Sequence, residues 1–163
     1  MNTIKRSLFA TFLNTTPDEE SETWSLMGKG VTEMSIAYNP QVTTEQDVTQ
    51  DTANSEVTGY QPNMPAEGSA RKGDAVYEYV NKLRKNRAVF ADCETQVLNV
   101  DLYDGDDTDG YAAEKQDVAV QVDTYGGSGG EALTLGFTLN YKGDPVKGKF
   151  NPKTATFTPD TDE

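Results

Sequence analysis

The chain has 163 residues, with 14 Lys and Arg against 27 Asp and Glu, no histidine, and a net charge of −13 at neutral pH. That length is one domain's worth. The acidic excess argues against a protein that grips nucleic acid through its phosphates or sits on an anionic membrane, and the missing histidine excludes every histidine-based triad, dyad or metal set. Apolar residues reach only 35%, so a modest core and a large polar surface are expected. Cys93 is the one cysteine, which leaves no internal disulfide and points to a reducing compartment. No apolar run is long enough to span a bilayer, and the amino-terminal stretch, broken at Asn14, lacks a signal-peptide pattern. The expectation is a soluble chain without membrane partners.

In chain order, short strands are expected over 4–12, 22–28 and 31–38, with Gly28-Lys29-Gly30 as turn material. Between Asn39 and Arg71 periodicity fades and Thr, Gln, Asp, Asn and Pro dominate, with one short strand expected at 56–60. A stretch this long is usually functional or disordered. Val57, Tyr60, Met64 and Pro65 are anchors that a solvated spacer would not need. The segment 40–70 therefore reads as an extended arm packing on another molecule, with an arm folded back on its own domain as the alternative.

The next segment, 74–85, is helical by pattern. Val76, Tyr79, Val80 and Leu83 form one stripe, Asp74 stands at the N-cap position, and Lys82, Arg84, Lys85 and Arg87 crowd the last turn, where they complement the helix dipole. Beyond it the period is two. Strands are expected over 88–92, 97–103, 117–123, 133–141, 146–150 and 154–158, the sharpest alternation being Leu133, Leu135, Phe137, Leu139 and Tyr141. Many short strands and one helix imply a mainly β fold, two packed sheets or a barrel with a flanking helix, in a single domain over 1–163.

No motif in this chain carries chemistry. The acidic run Asp104-Gly105-Asp106-Asp107-Thr108-Asp109-Gly110 has short carboxylates as a calcium loop does, but its register puts Asp109 where glycine is required and Lys115 where a bidentate Glu belongs. It reads as a solvated hairpin turn. Gly126-Gly127-Ser128-Gly129-Gly130 lacks both the following Lys-Ser or Lys-Thr and the helix of a phosphate loop, and lies between alternating strands as a flexible hairpin. Cys93, between Asp92 and Glu94, is set among charges that disfavour a thiolate. No catalytic residue, cofactor site or metal site emerges, although carboxylate-only hydrolysis stays open.

Ala37-Tyr38-Asn39-Pro40-Gln41, Glu45-Gln46-Asp47-Val48-Thr49 and Ser55-Glu56-Val57-Thr58-Gly59-Tyr60-Gln61-Pro62 resemble the major tail tube protein of long-tailed phages infecting Gram-positive bacteria. Lys72-Gly73-Asp74-Ala75-Val76-Tyr77-Glu78-Tyr79-Val80 is similar to that family's helix start. Gly143-Asp144-Pro145-Val146-Lys147-Gly148 with Phe157-Thr158-Pro159 is similar to its carboxy-terminal hairpin. The resemblance implies a non-catalytic virion protein, a β-sandwich or barrel-like tail-tube fold whose subunits form hexameric rings stacked into a tube. It implies a tape-measure protein inside, tail-terminator and distal tail proteins at the ends, and passage of double-stranded DNA. The long arm would cross to a neighbouring ring. Alternatives are the inner-tube protein of a contractile particle or secretion system, and a monomeric ligand-binding β-sandwich.

A negative channel suits DNA passage, because a basic wall would hold phosphates. The polar sides of 97–103 and 117–123 offer Asn99, Asp101, Asp117, Gln121 and Asp123 as a lumen face. An ordinary outer face is the competing reading, since alternation separates the two sides of a strand without saying which faces inward.

Overall fold

The structure is a computed structural model and describes residues 1–161. Its strands are β1 (Phe9–Asn14), β2 (Trp24–Leu26), β3 (Val31–Met34), β4 (Pro40–Glu45), β5 (Asn54–Tyr60), β6 (Asn63–Ser69), β7 (Glu94–Asp106), β8 (Gly110–Gly126), β9 (Thr134–Asn151) and β10 (Thr156–Pro159). The helix α1 spans Ala75–Asn86 between β6 and β7. One antiparallel sheet runs β2-β1-β7-β8-β9-β6-β3, with β10 also on β9. It curls into a half-barrel, while β4 and β5 form a separate two-stranded sheet. The mainly β, barrel-like expectation with one flanking helix therefore holds.

Strands β8 and β9 hold the sheet together, and each is far longer than an average strand. The first part of β9 pairs with β6 through Met64↔Leu139 and Ala66↔Phe137, and its last part pairs with β10 through Phe157↔Phe150. Because cross-strand partners share a face, the valine row Val118, Val120 and Val122 lies with Leu139 and Phe137 on the helix side. There it meets the predicted stripe: Val76, Tyr79, Val80 and Leu83 are all buried in one cluster with Val97, Met64 and Leu13. A second, smaller cluster of Leu98, Val100, Ala113 and Phe150 sits on the opposite face.

At the start of α1, Asp74 occupies the N-cap with extended dihedrals but makes no side-chain cap bond. The Glu78 carboxylate instead accepts the Gly73 N–H at 3.1 Å. At the far end Arg87 turns left-handed at φ 45, and the Arg87 and Ala88 N–H groups return to the Arg84 and Leu83 carbonyls, which satisfies the last turn in a Schellman closure.

Four expectations change. The segment 88–92 is no strand: Phe90–Cys93 is a 3-10 turn, because the left-handed exit of α1 is followed by Phe90 at φ 53, incompatible with an extended ladder. The stretches 133–141 and 146–150 are one strand, with Gly143-Asp144-Pro145 forming a bulge opposite Gln116, whose Nε2 donates to the Gly143 carbonyl at 2.7 Å. Residues 4–8 lie outside the sheet, Arg6–Leu8 being a 3-10 turn. The arm also ends sooner, since Asn63–Ser69 is a strand of the main sheet. Met64 is fully buried in the core of its own chain, and so is not an outward anchor.

Candidate functional site

What is left of the arm is the β4–β5 hairpin. It springs from the β3–β6 edge, where Ala37 and Asn63 form one last bridge. Asn39, left-handed at φ 46, redirects the chain there, and its Nδ2 donates to the Gln61 carbonyl at 3.0 Å. Tyr38 and Tyr60 meet edge-on at the base, ring centroids 6.4 Å apart. Beyond them every residue of β4 is exposed, as is all of β5 except Gly59. Of the predicted anchors Val57, Tyr60 and Pro65 are exposed, and Val57 stands directly across from Val42 on one face of the ribbon. Thr44 and Ser55 share a hydroxyl hydrogen bond of 3.1 Å on that face. Glu45 and Glu56 occupy the other face, and the tip carries Asp47 and Asp51.

The five lumen candidates do not share a surface. Register decides this: Asn99 pairs with Glu114 and Asp101 with Ala112, on the helix-side face of the sheet, whereas Asp117 pairs with Gln96 and Lys142 on the opposite face. The leucine row of β7 and the valine row of β8 therefore point opposite ways, and so do their polar rows. Asn99 is half-buried, accepting from Thr11 Oγ1 at 3.1 Å and donating to Tyr141 Oη at 3.1 Å. Burial pushes the Tyr141 phenol up to about 12, against the Asn99 hydrogen bond. Burial also holds the Asp101 carboxyl above its ordinary value; the Asp104 charge adds to this, and a Tyr103 hydrogen bond opposes it.

Gln121 and Asp123 do come together, while Asp117 shares their face farther along β8. The Asp123 carboxylate accepts from Thr138 Oγ1 at 2.7 Å and from Gln121 Nε2, while Gln121 Oε1 accepts from Asn140 Nδ2 at 3.1 Å. Glu94 and Lys142 form an ion pair on the same face. Thr138 and Asn140 were not anticipated, since on β9 they read only as the polar partners of a core strand. Their signal is cross-strand: both belong to the face of Gln121 once the pairs Gln121↔Thr138 and Ala119↔Asn140 are known.

The Asp106–Asp109 turn is closed by Asp106 Oδ1, which accepts from the Thr108 and Asp109 N–H groups at 2.9 and 2.7 Å. Among the described residues no group of three His, Cys, Asp or Glu side chains is placed to hold a metal ion, and no helix is long and apolar enough to cross a membrane.

Neither a protein-family model nor a curated protein matches the sequence. Solved structures do. The chain is similar to the SPP1 tail tube at TM-score 0.67 and 11% identity, covering 90% of this chain and 80% of that one. It is similar to the tail of an empty GTA particle, refined with helical C6 symmetry, at TM-score 0.62 and 11% identity, covering 88% and 97%. The virion of a native gene transfer agent particle gives TM-score 0.61 and 11% identity over 89% and 98%. At such identities the likeness is one of architecture, and this chain has a tail-tube fold.

Proposed function

We propose that the chain is a structural subunit of a virion tail tube, without catalytic activity. Its subunits associate in hexameric rings that stack into a hollow conduit around a tape-measure protein, with tail-terminator and distal tail proteins at the two ends. The reading is carried by one observation, an exposed two-stranded hairpin projecting from a tail-tube fold. An isolated two-stranded hairpin is marginal in water, so a ribbon this exposed calls for a neighbouring subunit. The purified protein is expected to form rings or hollow tubes in negative-stain micrographs as its concentration rises. A strictly monomeric protein at every concentration would contradict this reading.

The lumen face is assigned to the Asp117, Gln121 and Asp123 side of β8, together with Thr138 and Asn140 of β9. Small, hydrogen-bonded polar groups and carboxylates offer phosphates little to hold, the Lys142 charge on this face being paired with Glu94, and repetition around and along a tube builds a negative potential. Asp117→Lys with Asp123→Lys is expected to leave tubes intact but slow DNA passage through particles built from the variant, with the defect shrinking as salt rises. Wild-type passage at low ionic strength would place this face outside.

A further inference from the structure

Strand β7 begins at Glu94, which pairs with Ala119, so among the described residues β8 is paired over 120–126 with β9 alone and its other edge is open. A groove runs beside this edge, closed across from it by the last turn of α1 and the segment that follows. Arg84, Lys85 and Arg87 give it a basic wall, and Val89 and Phe90 give it an apolar one. Arg84 is already committed within the chain, lying 3.9 Å over the Tyr125 ring and donating to Asn81. Lys85 and Arg87 are exposed and, among the described residues, make no ion pair, unlike Lys115, Lys142 and Lys153. Phe90 is 87% exposed while its backbone sits at φ 53. A bulky residue held left-handed with its ring in water is the reverse of what folding of the single chain favours, and such outliers collect at contact sites. The carboxylate at the groove, Asp123, is occupied by Gln121 and Thr138.

The β4–β5 hairpin has the complementary character. Glu45, Asp47, Asp51 and Glu56 are its charged residues, with no Lys or Arg between Pro40 and Tyr60. One face carries Val42 and Val57, the other Glu45 and Glu56, and the outer edges of both strands have no strand partner among the described residues. We propose that the groove along the open edge of β8 is the receptor for the β4–β5 hairpin of a second copy of the chain, an assignment that rests on the tube-subunit reading above. A strand of the inserted ribbon extends the sheet at β8, as in β-strand addition. Its Val42 and Val57 face covers Val89 and Phe90, and its acidic face meets Lys85 and Arg87. Two open edges, each a liability alone, then close one another, and the charges set the pairing.

A charge-swap assembly experiment tests this. Lys85→Glu with Arg87→Glu, and separately Glu45→Lys with Glu56→Lys, are each expected to lower the pelletable tube yield at least about tenfold, the scale of reversing close interfacial charge pairs. Circular dichroism should show both variants folded. Mixing the two reversed chains is expected to restore tubes in which they alternate. Phe90→Ala should weaken assembly without altering the monomer, and in wild-type tubes the outward amides over 120–126 should exchange at least about tenfold more slowly than in the free subunit, as newly paired amides do. Reversed chains that assemble like wild type, or a mixture of folded reversed chains that stays unassembled, would overturn the docking assignment. So would unchanged exchange at 120–126. A wild-type chain that forms no tubes would overturn the tube reading itself, which separates the two failures.

Discussion

Replacing 41–59 with a short Gly-Ser linker is expected to give a folded subunit that no longer assembles. The hairpin holds no buried residue, so its removal takes nothing from either core cluster. Closing a shorter loop changes the entropy only logarithmically, by about 0.6 kcal/mol per twofold change in length. The far-ultraviolet spectrum and urea midpoint should stay near those of the parent, while tubes and rings disappear from micrographs. The boundary matters: carrying the excision on to Pro65 would also remove Met64, which is fully buried against Leu139. That longer deletion should unfold the subunit rather than merely disarm it. Tubes of normal length from the 41–59 replacement would show that the hairpin is ornamental.

Phe150→Ala is expected to be the most damaging single substitution, costing about 3–5 kcal/mol out of the roughly 5–15 kcal/mol that holds a domain folded. Phe150 is 1% exposed and is the largest member of a cluster with only Leu98, Val100 and Ala113 as its other buried residues. Its ring sits 4.9 Å from that of Phe12, tilted 51°, a geometry that adds to simple burial. The residues packed around it, among them Phe12, Trp24 and Phe157, are themselves large rings held in the sheet, and they cannot close fully over the space a lost ring leaves. Urea denaturation of the monomer should show the midpoint falling steeply, with loss confined to less than about 1 kcal/mol contradicting the assignment.

The helix was legible because its apolar stripe and its basic last turn agree with one another and with the core it meets. The 117–123 stretch of β8 and the first part of β9 were legible for a similar reason, their alternation being unbroken, with Gly136 falling on the polar side of the β9 row. What escaped notice was hidden by residues with two meanings. In β6, Met64, Ala66 and Gly68 do alternate with Pro65, Glu67 and Ser69, but Pro65 and Gly68 disguise the pattern. The strand accepts a proline there because its ladder to β3 is broken, pairing only Val31 with Gly68 and Met34 with Ala66. Gly143-Asp144-Pro145 has the composition of a turn, yet it spans a gap where β6 has ended and β10 has not begun. With no strand on that side, a missing N–H is harmless.

The candidate site was legible by residue and not by surface. Val57 and Tyr60, apolar side chains in a polar stretch, lie on the ribbon, while Met64 and Pro65 lie beyond it in β6, and alternation within one strand cannot align it with the next. A pairing offset by a single residue sends every side chain to the other face. That is how Asn99 and Asp101 were grouped with Asp117 and Asp123, from which the β7–β8 register separates them.

The same register has a consequence for the fidelity of folding. The two core clusters lie on opposite faces, and β7, β8 and β9 contribute to both. A one-step slip of β8 would therefore expel Val118 and Val120 on one side and Ala113 on the other in a single event. Misaligned chains are penalised twice over and have no compact halfway form to rest in. In the proposed tube, which would need many identical copies, the shared strands would act as an inspection step completed within each chain, before any copy meets the next.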